Sequence, residues 1–302
     1  MSWAWIPITL SAALFQALRT ALQRRLKSQL STNGATFTRF LFGLPLAAIY
    51  LVALRAALDE TMPTPNPEFW AWLAIGGLAQ ILATSALILS LSLGNFAVGT
   101  AYSKTEVIQV AVFEALFLGL AVSIAGAGAI AVASIGVMLM SLARLDRPLA
   151  ALRQGLTQPA TLYGLGSGAL FAIAAVGFRG ASLSLGHPQL FLAAAFTLAF
   201  ANLFQTLVMA AWLSWREPGQ IALVRRHWRP AAQVGVLSFL GSGCWFTAMA
   251  IQQAAYVRTL GLVELVFSLA ISFLAFRERP RRAEIAGMAL IAVGVAVVLN
   301  QR

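Results

Sequence analysis

Eight ionisable side chains interrupt long apolar runs of this sequence: Arg19, Arg39, Lys104, Glu106, Glu114, Arg179, Arg258 and Glu264. Inside a membrane span such a group costs about 3 kcal/mol or more, so it usually faces a bundle interior or an aqueous cavity. Arg19 and Arg39 lie within a turn or two of a basic connection, and Arg179 and Arg258 near other run ends, where a long side chain can carry its charge to the interface. Glu106 and Glu264 stand about ten residues from either end of their runs, beyond that reach at 1.5 Å per residue. A carboxyl in a dry interior holds its proton more tightly, which is what proton coupling exploits. These two are therefore the candidates for substrate binding or proton coupling.

Lys104 sits two residues before Glu106, about 200° round a regular helix, so the two cannot address one ligand. It is expected either to pair with an acid on another helix, Glu264 or Glu114, or to bind a substrate carboxylate. Tyr102, four before Glu106, shares its face and could donate to it or stack on a solute. Candidate lining of a solute pathway comes from Gln80, Thr84, Ser238, Ser242 and Trp245, with Arg19, Arg179 and Glu114 as further polar contributors. Small polar residues also let helices approach closely, the alternative reading for these hydroxyls.

What must position these groups follows from composition. Of 302 residues, 60% are apolar and 10% charged, against about 25% charged in a soluble domain. Apolar runs fall at 3–22, 34–57, 69–92, 95–118 and 123–143, then at 160–183, 189–214, 230–252, 255–276 and 283–300. With about 20 residues per crossing, the expectation is an all-α integral membrane protein of about ten transmembrane helices. The first run is read as a retained span. Residues 1–144 form one five-helix repeat, 145–158 a polar cytoplasmic linker and 159–302 a second repeat.

Sliding the chain against itself by 158 residues aligns 71–137 with 229–295 without a gap and sets Glu106 on Glu264, Gln80 on Ser238 and Thr84 on Ser242. Five spans per half is an odd number, so the halves would enter the membrane oppositely, as inverted repeats do in transporters. Basic residues concentrate in the odd-numbered loops, at Arg24, Arg25, Lys27, Arg144, Arg147, Arg153, Arg216, Arg225, Arg226, Arg229, Arg277, Arg279, Arg281 and Arg282. The positive-inside rule makes those loops cytoplasmic and both termini outward.

With this plan, the stretches 97–119 and 255–277, the turn Phe276-Arg277-Glu278-Arg279, and the last span with Gly287 and Gly294, the chain resembles the drug/metabolite transporter superfamily in its ten-helix branch with duplicated EamA domains. The resemblance implies a secondary transporter, often an exporter of amino acids or other small metabolites, with its pathway between the halves. Two departures stand out. Family members are usually drawn with both termini cytoplasmic, and here Gly119-Leu120 replaces the acidic turn.

Several classes are disfavoured. The net charge of +11 is scattered over loops and does not form the stripe of a nucleic-acid binder. There is no phosphate-binding Gly-Lys-Ser/Thr loop. One cysteine, Cys244, and two histidines, His187 and His227, offer neither a metal set nor a catalytic one. Neither enzyme activity nor a cofactor is expected. The expected partners are a small solute and the inner (plasma) membrane bilayer, with a homodimer left open. The preferred reading is alternating-access transport of a small metabolite coupled to protons or exchange. Its rivals are efflux of organic cations or drugs, and a non-transporting scaffold or sensor whose charges are structural pairs.

Overall fold

A computed structural model of the chain describes residues 3–26, 29–93, 96–143, 145, 158–276 and 281–300. Most of the expected 145–158 linker and residues 277–279 of the Phe276 to Arg279 turn lie outside these. The described residues form thirteen helices and no strand: α1 Trp5–Leu26, α2 Thr32–Leu58, α3 Pro67–Leu93, α4 Phe96–Ser103, α5 Glu106–Leu118, α6 Ile124–Leu142, α7 Pro159–Ser184, α8 Leu190–Arg216, α9 Gln220–Arg226, α10 Trp228–Ile251, α11 Ala254–Gly261, α12 Val263–Phe276 and α13 Arg282–Leu299.

An all-helical chain is what a bilayer demands, because helices satisfy their backbone polar groups internally. Seven helices, α2, α3, α6, α7, α8, α10 and α13, are long and apolar enough to cross a membrane. The sequence led us to expect about ten. Three places account for the difference. Gln16, Arg19 and Thr20 lower the apolarity of α1, and the runs at 95–118 and 255–276 are each broken into two short helices.

The chain divides into two compact units, Met1–Gly77 with Gly177–Ile251, and Leu78–Val176 with Gln252–Arg302. Each draws on both sequence halves, and the boundaries fall inside α3 and α7. In the first unit α1 packs on α10, and α2 on both α8 and α10. Small residues set these crossings: a Cβ on Gly43 would stand 3.4 Å from Asn202 Nδ2, and Gly241 lies against Phe15 and Gln16. Ser31 caps α2 by accepting from Gly34 N–H at 3.0 Å, while the Ser31 hydroxyl and Asn33 Nδ2 donate to Glu217, just past the end of α8. Nearer the other end of α2, His187 Nδ1 accepts from Gln189 N–H at 3.1 Å just before α8 begins.

In the second unit the principal seam joins α6 to α13. A Cβ on Gly136 would lie 2.6 Å from the Gly287 carbonyl oxygen, one on Gly287 2.6 Å from that of Gly136, and one on Gly294 2.6 Å from that of Ala129. Backbones meet there with no room for a side chain, the close approach that drives helix association in lipid. Gly136→Val or Gly287→Val should therefore destabilise the protein by about 1–3 kcal/mol through overpacking. Gly128, where an added Cβ would meet nothing within 4 Å, should accept alanine without loss, and thermal denaturation of the purified variants reads the contrast.

Candidate functional site

Both broken runs belong to the second unit, and their breaks fall at equivalent positions under the 158-residue shift. At the first, the Tyr102 carbonyl accepts from Thr105 N–H at 3.2 Å and from the Thr105 hydroxyl at 2.6 Å. A side chain thus competes for a carbonyl that would otherwise serve the helix ladder. Gln109 Nε2 donates to that same hydroxyl at 2.9 Å. At the second, Leu262 N–H reaches back to Thr259 O at 3.2 Å, and Leu265 N–H to Leu262 O at 3.0 Å. Thr105 (φ −63, ψ −9) and Leu262 (φ −59, ψ −16) both stay right-handed. Each break is thus a tightening toward three-residue hydrogen bonding. α7 abuts the first break through Gly168, where a Cβ would come within 2.9 Å of Ser103 O and 3.2 Å of Glu106 N.

The breaks place Glu106 in the first turn of α5 and Glu264 in the first turn of α12, where the helix dipole favours a negative charge. Lys104 Nζ forms an ion pair and hydrogen bond with Glu264 Oε1. Arg258 Nη2, from the last turn of α11, forms an ion pair with Glu106 Oε1 that lacks hydrogen-bond alignment. The cation of each broken run therefore binds the carboxylate of the other. The four side chains are 11–22% exposed, so each charge is largely desolvated and depends on its partner.

A second attachment holds α5 to α11. Glu106, Val107, Val110 and Glu114 are the buried residues of α5, three of them at four-residue spacing on one face. Glu114 is fully buried, and its two carboxylate oxygens accept from the backbone N–H groups of Ala254 at 2.8 Å and Ala255 at 2.9 Å. This caps the start of α11 with a carboxylate, satisfying donors that a helix N-terminus leaves open. Since Glu106 meets Arg258 toward the other end of α11, the two helices run antiparallel and are pinned twice.

The remaining candidates are distributed. Tyr102 is buried in an apolar cluster with Ala101 and Leu142, and the break separates it from the face of Glu106. The Thr84 hydroxyl donates to Gln80 O at 2.9 Å within α3, and Gln80 and Thr84 are half-buried in the second unit. Arg19, Arg179, Ser238, Ser242 and Trp245 lie in the first unit. There Trp245 Nε1 donates to Gln16 Oε1 at 3.0 Å, Arg179 donates to the Met249 carbonyl near the end of α10, and Ser238 Oγ is buried without a hydrogen-bond partner among the described residues. Arg258 is the member of the charge cluster that its position near a run end led us to read as interfacial. The signal for it was available: two deep carboxylates facing a single lysine require a second cation.

This arrangement is that of a helical membrane protein with a buried set of reciprocal charge pairs. Residues 158–300 match the EamA-like transporter family. The chain is 30% identical over 119 residues, 39% of its own length and 83% of the other, to an uncharacterized transporter in cobO 3'region of Sinorhizobium sp. It is also similar to a solved crystal structure, with a TM-score of 0.71 at 16% identity over 98% of this chain and 96% of that one, a likeness of fold. The chain belongs to the EamA-like transporter family, a family of transporters and not of enzymes.

Removing one member of a pair leaves the other charge buried alone, at a cost of about 3 kcal/mol or more. Lys104→Met and Glu264→Gln are thus each expected to destabilise the protein more than the double variant does, and Arg258→Met with Glu106→Gln should behave alike. Denaturation of the singles and doubles as two thermodynamic cycles measures this. Glu114→Ala should lose stability with no compensating second substitution, because its partners are backbone groups.

Proposed function

We propose that this chain is a secondary transporter of a small metabolite, working by alternating access, with the cross-paired Lys104–Glu264 and Arg258–Glu106 set as its coupling element. The observation that carries the reading is reciprocity: matching breaks in two runs related by the 158-residue shift exchange their charges. A proton or an ionised substrate can compete for either carboxylate, and occupation of one releases a cation of the opposite run. That links a titration to a change in how two helices hold each other.

In this reading the chain crosses the inner membrane ten times, through the seven long helices, α1 and the two broken runs, as inverted five-helix repeats. Pairing of helices supports it. α1 lies on α10 in the first unit, and α7 approaches α3, with Gly177 against Gly76 in that unit and the Ser167 hydroxyl on Ala83 O at 3.1 Å in the second. Under the shift, α1 corresponds to α7 and α10 to α3, so the two pairings are counterparts. The basic odd loops favour a cytoplasmic position for themselves and outward termini. An amino acid or a similar solute bearing a carboxylate, moved outward, suits the excess of intramembrane cations. Efflux of an organic cation is less well supported, because Glu106 and Glu264 already hold protein cations.

The test uses purified protein and proteoliposomes. Thermal-shift screening against amino acids, nucleobases, polyamines and quaternary ammonium compounds identifies a stabilising class, whose flux is then followed. Glu106→Gln and Glu264→Gln, each combined with neutralisation of its partner to preserve folding, are expected to abolish proton-driven flux while melting within a few degrees of wild type. Retained pH-dependent flux in those folded doubles would remove the charge set from the mechanism and leave it a structural clamp.

A further inference from the structure

One buried cation of the first unit, Arg39, stands apart from the paired charges of the second. Arg39, in α2, is only 8% exposed. Its Nε has no hydrogen-bond partner among the described residues, its guanidinium lies 5.4 Å from the Phe40 ring centroid, and the charge that acts on it is another cation, Arg19 of α1. The described carboxylates of this unit are committed or distant. Glu217 accepts from Ser31 and Asn33, Glu68 accepts from Trp72 Nε1, and Asp59 and Glu60 follow the far end of α2, about 30 Å along the helix from Arg39.

A hydroxyl without a partner lies close to the same level. α2 and α8 run antiparallel, since Ser31 meets Glu217 at one end and Gly43 meets Asn202 further along. One turn from Gly43 toward the start of α2 is Arg39, and one turn from Asn202 toward the end of α8 is Thr206. Both steps are four residues, keep the same helix face and lead toward the Ser31–Glu217 end. Thr206 Oγ1 is buried and has no hydrogen-bond partner among the described residues. The buried Arg39 guanidinium and the unused Thr206 hydroxyl donor lack the same thing, an oxyanion.

We propose that Arg39, with the hydroxyl of Thr206, is an oxyanion-binding subsite that takes the carboxylate or phosphate group of a small solute. Its part in transport rests on the reading above, whereas its capacity to bind an anion does not. The full chain, purified in uncharged detergent, is melted against inorganic phosphate and acetate, with chloride at matched ionic strength as reference, and against phosphatidylglycerol with phosphatidylcholine as reference. Phosphate or acetate should raise the melting temperature saturably. Arg39→Gln should weaken that binding by about tenfold or more, Arg39→Lys and Thr206→Val by less, and the paired doubles Lys104→Met/Glu264→Gln and Arg258→Met/Glu106→Gln should each retain it, which separates this site from failure of the coupling reading. Without ligand, Arg39→Gln should melt at or above wild type, since an unbalanced buried charge is gone.

A response to phosphatidylglycerol alone, lost in Arg39→Gln, upholds the oxyanion site and assigns its ligand to a lipid headgroup. No response to any of the three probes, a response unchanged in both Arg39 variants, or an unliganded Arg39→Gln protein that melts well below wild type overturns the proposal.

Discussion

A charge inside a bilayer must find its opposite within the protein, and much of the second unit follows from that. Glu106 and Glu264 are largely desolvated, so cations must be brought to them. Lys104 and Arg258 come from the opposite broken runs, which forces the α4/α5 and α11/α12 junctions together. Glu114, by capping α11, fixes the distance at which α5 can offer Glu106 to Arg258. The glycine seam between α6 and α13 then gives the unit a rigid partner surface that needs no polar contact.

The parts of this design that are rare in sequence were the legible ones. A glutamate ten residues from any loop is conspicuous, and its recurrence 158 residues later marks both positions. The spacing of Lys104 and Glu106 excluded a shared ligand and left Glu264 or Glu114 as partner, and Lys104 does pair with Glu264. The transporter class was legible in the same way, through apolar runs, a repeat and family-like stretches.

Other features had no local signature. The break before Glu106 involves neither proline nor glycine; it arises where the Thr105 hydroxyl takes a carbonyl, a choice that many mid-helix threonines do not make. Arg258 lies 152 positions from Glu106 in sequence, and only the packing of α11 on α5 shows which end of its run it serves. Glu114 looked like a pathway acid because its partners, two backbone N–H groups, have no residue type to read. The compact units cut across the sequence halves for a related reason. Helices apolar on every side carry little directional information about which neighbour they choose.

The cross-paired cluster has an electrical consequence. Two cations and two carboxylates sum to zero, so the transmembrane voltage does no net work on the cluster if it shifts as a body, whereas a single uncompensated charge would feel about 2.3 kcal/mol per 100 mV. Adding one proton to either carboxylate makes the cluster cationic. On the coupling reading proposed above, the membrane potential would then do work on any displacement of the protonated cluster across the bilayer.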